Sequence, residues 1–407
     1  MVAPNASIEL QAYFSPTFSA NVTEDVLNAV SYGGTLDMHF AGFQIFAKSC
    51  NIGPNTCYGC FVDSLLHDHS FYFSRIVNAA RELNVTVRLL TNDYGIPSCG
   101  GSNMTILDFL VLNGVQVKYY ATTTYTHGKL FIVDSNLASV SSINLDILPF
   151  IFNREAGFVV YNSTQAGRDV IDFYQSVFDY DWDAGFPYEI NGTYTAEALY
   201  AATHHDRLTG DFAPSFPLNN TYSAPPVRGM FTGDVTAFVA PDNAYAMALS
   251  DLKAATSSFH VFMYFVANGT FCSELLAAHT RGVNVTVLVS QAVLGFDNTV
   301  STECYKTLDA AGLTVQSPST VFAFAHQKVW IVDDEKVTVS TGDWTQTDTP
   351  PGNTFYNYTD GGPDWVQTNR DFYLAINSTE VADVFLNVID HDFADGAKWT
   401  PQGPPPL

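Results

Sequence analysis

THGKLFIVD occupies residues 126–134, and AHQKVWIVD occupies residues 325–333, 199 positions later. Seven residues beyond the final Asp of each stretch begins a short tail, SSIN at 141–144 and STGD at 340–343. Both copies therefore read H-x-K-x4-D, followed by a tail that carries a small hydroxyl residue and ends in Asn or Asp. Two such copies in one chain are not expected by chance, and they predict two similar structural units.

The aliphatic residues after each Lys are typical of a buried β-strand. On a strand the side chains at i and i+2 share a face, so His127 and Lys129 point to the same side. Asp134, five residues beyond Lys129, faces the other side. We therefore expect Asp134 and its counterpart Asp333 to hold the end of the strand and to take no part in the chemistry.

A His and a Lys side by side, with an Asn just after the next turn, suit a tetrahedral phosphate. The ring nitrogen serves as nucleophile or acid, the ammonium group supplies fixed positive charge, and the amide donates a hydrogen bond. Two half-sites of this kind, face to face, place His127 and His326 on opposite sides of one phosphorus atom. The pattern predicts a phosphodiesterase that works by double displacement.

At these residues the chain resembles the phospholipase D superfamily, whose members carry paired HxKxxxxD motifs. The resemblance extends further, because similar runs follow the two motifs: NREAGFVVYNST at 153–164 and NRDFYLAINST at 369–379. NVTV also precedes each motif, at 84–87 and at 284–287. The resemblance therefore covers most of the chain as two lobes.

The resemblance also implies roles for individual residues. An acidic residue in the run after the motif orients the catalytic His, which implies Glu155 for His127 and Asp371 for His326. The first His is implied as the nucleophile that forms a phosphohistidine, and the second as the acid. We expect no cofactor and no metal, because no cluster with metal-ligand spacing lies near either motif. The candidate catalytic residues are His127, Lys129, Asn144, Glu155, His326, Lys328, Asp343 and Asp371.

Two residues of the tails depart from the family pattern. Ser141 replaces the usual Gly of the first tail, and Asp343 replaces the Asn of the second tail. A carboxylate at this place meets a phosphate anion, so we expect the enzyme to work best in acid, where Asp343 is protonated. Two alternatives stay open: Asp343 turns away into a loop hydrogen bond, or the protein binds phosphorylated ligands without turnover.

The alternation of strands and helices before each motif predicts an α/β fold. We expect two similar α/β/α lobes, each with a mixed, largely parallel sheet, related by a pseudo-two-fold axis with the active site between them. Residues 1–182 form the first phospholipase-D-like lobe and 231–400 the second. An interlobe connection at 183–230 joins them, and 401–407 is a Pro-rich tail.

The chain of 407 residues has a formal net charge of −24. A surface this acidic repels long polyanions, which counts against binding of duplex nucleic acid. It leaves room for a local positive pocket around Lys129, Lys328, Arg154 and Arg370. On charge grounds we favour a phospholipid substrate over nucleic acid.

Two features indicate an exported protein. Eleven of the 26 Asn lie in N-x-S/T sequons, which is typical of a secreted or lumenal glycoprotein. The N-terminus has no signal-peptide core, so we expect a leader to have been removed. We therefore expect the protein to be secreted or to reside in the lysosomal or endomembrane lumen. The sequon residues are Asn5, Asn21, Asn84, Asn103, Asn162, Asn191, Asn219, Asn268, Asn284, Asn357 and Asn377.

The six Cys fit the same compartment. Cys272 and Cys304 are the only two in the second lobe, which predicts a disulfide between them. The connectivity of the other four stays open: Cys50, Cys57, Cys60 and Cys99. The Cys57-x-x-Cys60 pair, with His67 and His69 nearby, suits a zinc site or, in an exported chain, a disulfide-stapled loop.

The substrate class stays open within the resemblance. YSAPP at 222–226 and Trp344 resemble animal lysosomal members, which implies 5′ exonuclease action on single-stranded nucleic acid or lipid transphosphatidylation. APDN at 240–243 resembles bacterial, lipid-acting members. The oligomeric state also stays open.

Two further groups of side chains each allow more than one interpretation. The aromatic residues in and beside the insertion 345–366 suit base stacking, peripheral contact with a membrane surface, or packing of a long loop. They are Trp344, Phe355, Tyr356, Tyr358 and Trp365. His204 and His205 form a metal pair or are surface-loop histidines.

Overall fold

The computed structural model describes the following residues: 1–42, 71–92, 105–123, 125–145, 147–190, 193–208, 224–293, 299–351 and 368–401. Some predictions from the sequence fall outside these ranges. They concern Cys50, Cys57, Cys60, Cys99, His67, His69, Phe355, Tyr356, Tyr358, Trp365 and the tail beyond 401.

In the first half of the chain, strands alternate with helices, as the apolar periodicity predicts. The strands are β1 (Val2–Phe14), β2 (Thr35–Phe40), β3 (Thr86–Thr91), β4 (Gln116–Tyr119), β5 (Tyr125–Thr126), β6 (Lys129–Val133), β7 (Leu137–Ser141), β8 (Ala156–Tyr161) and β9 (Phe186–Pro187). The helices are α1 (Ser19–Asn28), α2 (Phe71–Glu82), α3 (Ile106–Leu112), α4 (Ile147–Ile151), α5 (Gln165–Ala184) and α6 (Ala196–Thr203).

The second half follows the same alternation. Its strands are β10 (Val227–Ala240), β11 (Ser258–Met263), β12 (Val266–Ala267), β13 (Asn284–Val289), β14 (Val315–Ser317), β15 (Lys328–Val332), β16 (Lys336–Ser340), β17 (Trp344–Thr345), β18 (Asn369–Asn377) and β19 (Ala397–Lys398). Its helices are α7 (Ala244–Ala254), α8 (Gly269–Thr280), α9 (Thr299–Ala310) and α10 (Thr379–Ala394).

Local sequence signals explain where several helices begin and end. The side chains of Thr105 and Thr164 accept a hydrogen bond from the main-chain N–H three residues later, which satisfies a free amide in the first turn of α3 and of α5. Gly114 and Gly282 follow α3 and α8 with φ angles of 90° and 92°. A side chain disfavours this backbone conformation, so glycine ends both helices at low cost.

The sheet has the same local order in both halves. β2 pairs in parallel with β3 and antiparallel with β6, and β3 pairs in parallel with β4. β11 likewise pairs in parallel with β13 and antiparallel with β15, and β13 pairs in parallel with β14. The motif strands continue as antiparallel hairpins, β6 with β7 and β15 with β16. The predicted α/β class with a mixed sheet is confirmed.

The two halves share one continuous sheet. β1 pairs antiparallel with both β8 and β10, and β10 pairs antiparallel with β18. The buried core at this junction combines side chains of both halves; the rings of Phe14 and Phe385, for example, have centroids 4.9 Å apart. β10 begins at Val227, inside the predicted connection 183–230, which also contains α6. The connection therefore contributes regular structure.

Two buried ion pairs cross between the halves. Arg154 donates two hydrogen bonds of 2.7 Å to Asp392 of α10, and Arg370 of β18 donates bonds of 2.9 and 3.1 Å to Asp181 of α5. Removing one partner of such a buried pair lowers the free energy of unfolding by about 3–5 kcal/mol. Because both guanidinium groups are engaged in this way, the expectation that they contribute to a positive pocket is wrong.

Trp344 is fully buried. Its ring packs against those of Phe271, Trp330 and Phe259, with centroid distances of 4.9, 5.5 and 6.1 Å. The packing interpretation is therefore correct for this residue, and Trp344 does not present an exposed ring to a substrate.

The predicted disulfide between Cys272 and Cys304 is present. His205 does not form a metal pair with His204, because its ring nitrogens lie 2.8 and 2.9 Å from the guanidinium group of Arg81. Among the helices of the described ranges, none combines the length and the apolar character needed to cross a bilayer.

Candidate active site

Each motif histidine hydrogen-bonds through its main chain to the other half of the chain. The N–H of His127 donates to the carbonyl of Arg370 at 2.9 Å, and the N–H of His326 donates to the carbonyl of Arg154 at 2.8 Å. The residue before each His forms a parallel bridge with the same Arg. Each HxK stretch therefore lies beside the acidic run of the opposite half.

The predicted pairing of His and acid within each half is wrong. His326 Nδ1 lies 2.9 Å from Glu155 Oε2, and His127 Nδ1 lies 3.2 Å from Asp371 Oδ1. The reason is the crossed main-chain contact, because each acidic residue directly follows the Arg whose carbonyl binds the opposite His. Each histidine thus takes its carboxylate from the other half.

A hydroxyl group of each tail holds the carboxylate of its own half. Ser142 Oγ donates to Glu155 Oε2 at 2.5 Å, and Thr341 Oγ1 donates to Asp371 Oδ1 at 2.6 Å. Each hydroxyl also accepts the main-chain N–H of the residue after the acid, at 3.0 Å. The sequence analysis noted the hydroxyl in both tails but assigned it no role. The presence of a hydroxyl residue at the same position of both tails was the signal that could have indicated this role.

The two motif lysines are buried inside the site. Lys129 Nζ donates to the carbonyl oxygens of His127 at 2.7 Å and of Thr341 at 3.3 Å, and Lys328 Nζ donates to that of His326 at 2.9 Å. Burial, and then repulsion by Lys328, lowers the pKa of Lys129 to about 8. Two ammonium groups held together in this way favour an anionic ligand.

Asp343 faces the lysine of its own motif. Its Oδ1 lies 3.5 Å from Lys328 Nζ, and this oxygen has no hydrogen-bond partner within the described residues. Burial raises the pKa of Asp343 to about 7, against the opposing charge of Lys328. The side chain is therefore directed at the charged centre of the site. Asn144, its counterpart in the first tail, is partly buried in the loop after β7.

Asp134 and Asp333 hold the turns that follow the motif strands. Asp134 accepts main-chain hydrogen bonds from Thr35 at 2.6 Å and from Ser31 at 2.7 Å. Asp333 accepts bonds from Ser257 and neighbouring residues, the shortest at 2.7 Å. Both aspartates have positive φ angles, of 52° and 53°. These contacts fix the strand end to the loop before the adjacent strand and agree with a structural role.

A third carboxylate in the second half was missed by the sequence analysis. Asp348 Oδ1 lies 3.7 Å from His127 Nδ1, and the residue is buried. It lies in the turn after β17, at a position that the motif repeat does not include. No local pattern of the sequence indicated this role.

Burial dominates the protonation of the site. It lowers the pKa of His127 and of His326 well below the ordinary value, and the nearby ammonium groups lower both further. It raises the pKa of Glu155 to about 7 and that of Asp371 to about 6. The two carboxyl groups therefore titrate near neutral pH, where general acid–base catalysis operates, and burial favours the neutral form of both imidazoles.

A scan against protein-family models matched the model described as "Cardiolipin synthase, PLD-like domain" over residues 61–182 and 248–392. These segments cover more than half of the chain and contain both motifs. The chain belongs to the phospholipase D superfamily. A search of the curated proteins found no match.

One solved structure has a similar fold over nearly the whole chain. The chain is similar to phosphatidylserine synthase from Haemophilus influenzae Rd KW20, with a TM-score of 0.58 and 8% identity over 96% of this chain and 89% of that chain. Nuc, a phospholipase D family member from Salmonella typhimurium, aligns with a TM-score of 0.34 and 21% identity over 41% of this chain and 98% of that chain. At 8% identity the likeness to the synthase concerns the fold alone.

His127, Asp348 and Asp371 offer three donor atoms within 4.8 Å of one another. One nitrogen and two carboxylate oxygens are a donor set that Zn²⁺ accepts. However, Thr341 and Asn369 already donate to the two carboxylates, and both motif lysines exert their positive charge on Asp371. We interpret the set as a hydrogen-bonding group around the histidine. The absence of a metal from the chemistry stays a prediction.

Proposed function

We propose that this member of the phospholipase D superfamily is a phosphodiesterase that cleaves the headgroup bond of phospholipids through a phosphohistidine. The observation that carries the proposal is the crossed pairing of the two histidines with Glu155 and Asp371, around two buried motif lysines. This arrangement supplies a nucleophile, an acid and an anion clamp in one place.

The proposed reaction uses the two rings in turn. Each Nδ1 faces a carboxylate, which leaves Nε2 for the substrate and orients the ring. One Nε2 attacks phosphorus while the other ring protonates the leaving oxygen. The second ring then removes a proton from water or from an acceptor alcohol, which displaces the first ring. Lys129 and Lys328 stabilise the charge on the phosphoryl oxygens.

The complete assembly supports turnover over simple ligand binding. His326, both lysines and both acidic residues are buried, and His127 is partly buried. Hydrogen bonds or short ion pairs connect all six side chains to the site. A protein that only binds a phosphoryl group needs the positive charge but does not need two oriented imidazoles on carboxylates.

Two observations support a phospholipid substrate. The net charge of −24 opposes binding of a long polyanion, whereas it does not oppose a single phosphodiester at a membrane surface. The family model that matches the chain takes its description from cardiolipin synthase, whose product is a phospholipid. We infer that the protein approaches the membrane as a peripheral enzyme.

The positions of the sequons support an exported glycoprotein, either secreted or in the endomembrane or lysosomal lumen. Most sequon asparagines within the described residues are exposed: Asn5, Asn21, Asn84, Asn284 and Asn377. Asn268 is an exception, because it is buried and its side chain accepts the N–H of Thr270 at the start of α8.

We expect glycans on the exposed sequons and none on Asn268, whose side chain is occupied in the helix cap. Peptide mapping of the protein from a eukaryotic secretory host, before and after enzymatic deglycosylation, measures the occupancy of each site. The absence of glycan from all five exposed positions contradicts the proposed compartment.

The substrate proposal is tested by a panel at pH 5 and pH 7. We expect choline release from phosphatidylcholine vesicles and no mononucleotide release from a 5′-hydroxyl single-stranded oligonucleotide. His326→Ala should reduce choline release by roughly a hundredfold or more, because one of the two catalytic rings is lost. Release of mononucleotides without choline contradicts the lipid substrate and favours the exonuclease alternative.

The dependence of kcat/KM on pH should be bell-shaped. Glu155 must be ionised to accept the Nδ1–H of His326, so activity rises through its pKa of about 7. Asp343 must be neutral beside the phosphate, so activity falls through its pKa of about 7. Because Glu155 must be ionised, the expected optimum of kcat/KM lies near neutral pH, and not in acid as the sequence analysis predicts from Asp343 alone.

Asp343→Asn keeps this position neutral at every pH. The rising limb should stay in place, and the falling limb should move up by less than one unit, because Asp343 is one of the charges that hold the pKa of Lys129 at about 8. Profiles of kcat/KM from pH 4 to pH 9 for wild type and variant measure the shift. If the two profiles have the same shape, Asp343 does not set the falling limb.

A further inference from the structure

Asp348 makes the surroundings of the two catalytic histidines unequal. It lies 3.7 Å from His127 Nδ1, beyond the contact of that ring with Asp371. The position 199 residues earlier is Pro149, so the motif repeat places no carboxylate at the corresponding position of the first half. Within the described residues His127 thus faces two carboxylates, whereas His326 faces Glu155 alone.

The carboxylate of Asp348 is fixed in place from several sides. Its Oδ2 accepts the main-chain N–H of Asp343 at 2.8 Å, and its Oδ1 accepts a hydrogen bond from Asn369 Nδ2. Its main-chain N–H donates to Thr345 Oγ1 at 3.0 Å, and its carbonyl accepts from Tyr373 at 3.3 Å. The Asp348 side chain therefore cannot swing away from His127 without breaking several hydrogen bonds.

Corresponding amides are used differently in the two halves. Asn153 and Asn369 each stand two residues before an acidic residue of the site. Asn153 Nδ2 donates at 3.0 Å to Glu155, the acid of its own run. Asn369 donates instead to Asp348, and Asp371 Oδ2 has no hydrogen-bond partner within the described residues. The second half thus uses its amide to hold an additional carboxylate.

The extra carboxylate opposes the positive groups that surround the ring. Lys129, Lys328 and His326 disfavour a positive charge on His127, and Asp348 favours it. The ring of Tyr125 stacks on that of His127, with centroids 6.1 Å apart, and contributes no charge to this balance. His326 lies near the same two lysines, which disfavour a positive charge on its ring, and within the described residues it faces only the carboxylate of Glu155.

The two roles in a double displacement make different demands on the rings. The nucleophilic ring becomes positive when its Nε2 bonds to phosphorus, and it stays positive until that bond breaks. The acid ring gives up its positive charge in the same step. A second fixed carboxylate therefore benefits the nucleophile most.

We infer that Asp348 is a positioning residue that stabilises the phosphorylated, positively charged imidazole of His127. This makes His127 the nucleophile and His326 the acid and base, and it rests on the phosphodiesterase function proposed above. The resemblance to the family implied the same role for His127, but the structure supplies an independent physical reason in Asp348.

The reaction then balances as follows. The lone pair of His127 Nε2 forms the N–P bond while the bond from phosphorus to the leaving oxygen breaks, and that oxygen takes the proton of His326 Nε2. Neutral His326 next takes a proton from water or an alcohol, whose oxygen bonds to phosphorus. The electron pair of the N–P bond returns to His127. In the structure, His127 Nδ1 lies 3.2 Å from Asp371 Oδ1 and 3.7 Å from Asp348 Oδ1, so both carboxyl groups adjoin the ring that carries the phosphoryl group.

The full-length His326→Ala variant isolates the first step. With bis(para-nitrophenyl) phosphate the leaving group departs without an acid, so a covalent adduct should accumulate on His127 and be located by mass spectrometry at neutral pH. Adding Asp348→Asn should slow formation of the adduct about tenfold or more. Asp348→Glu in the same background should restore most of the rate, which a purely structural role for Asp348 does not predict.

Asp334→Asn is the matched control. Asp334 is an exposed aspartate that pairs with His260 outside the site, and Asn accepts its φ of 57°. This variant should form the adduct at the parental rate, and its melting temperature gives the reference for the Asp348 variants.

Two results overturn the inference while leaving the phosphodiesterase function intact. One is an adduct on His326 in the His127→Ala variant with none on His127 in the His326→Ala variant. The other is an unchanged rate of adduct formation after Asp348→Asn. Failure of the wild-type enzyme to release nitrophenol from the diester, or choline from vesicles, overturns the proposed function and the inference together.

Discussion

The side chains of Arg154 and Arg370 are only 1% and 3% exposed. Removing the carboxylate partner of a buried guanidinium group lowers the free energy of unfolding by about 3–5 kcal/mol. Each finds its carboxylate in the last long helix of the opposite half, at Asp392 or Asp181. The strand or loop that carries each Arg is thereby held against the other half. Because an acidic residue of the site directly follows each Arg, the same constraint carries that acid to the opposite histidine.

The sequence was sufficient to predict the elements and the chemical character of the site. The H-x-K pattern placed one lysine of each half on a buried strand. Such signals are local, since they depend on side chains within a few residues of one another. The predicted disulfide between Cys272 and Cys304 depended only on counting the cysteines of one half.

The crossed pairing could not be predicted in the same way. Both halves carry an Asn-Arg-acid run, so the sequence is almost unchanged when Glu155 and Asp371 are exchanged between the histidines. What decides between the two pairings is a main-chain hydrogen bond from each histidine to an Arg carbonyl in the other half. Asp348 was missed for a related reason, because it lies outside the repeat. Comparing the two halves identifies the residues they share and overlooks one that occurs in a single half.

The central claim is that each catalytic histidine is oriented by a carboxylate of the other half. Selective ¹⁵N labelling of histidine reports it directly, because the ring nitrogen shifts depend on the tautomer and on the hydrogen bond at Nδ1. The His326→Ala and His127→Ala variants assign the two signals. In Glu155→Gln, the ring signals of His326 should move and those of His127 should stay in place. Movement of the His127 signals with His326 unchanged would contradict the crossed site.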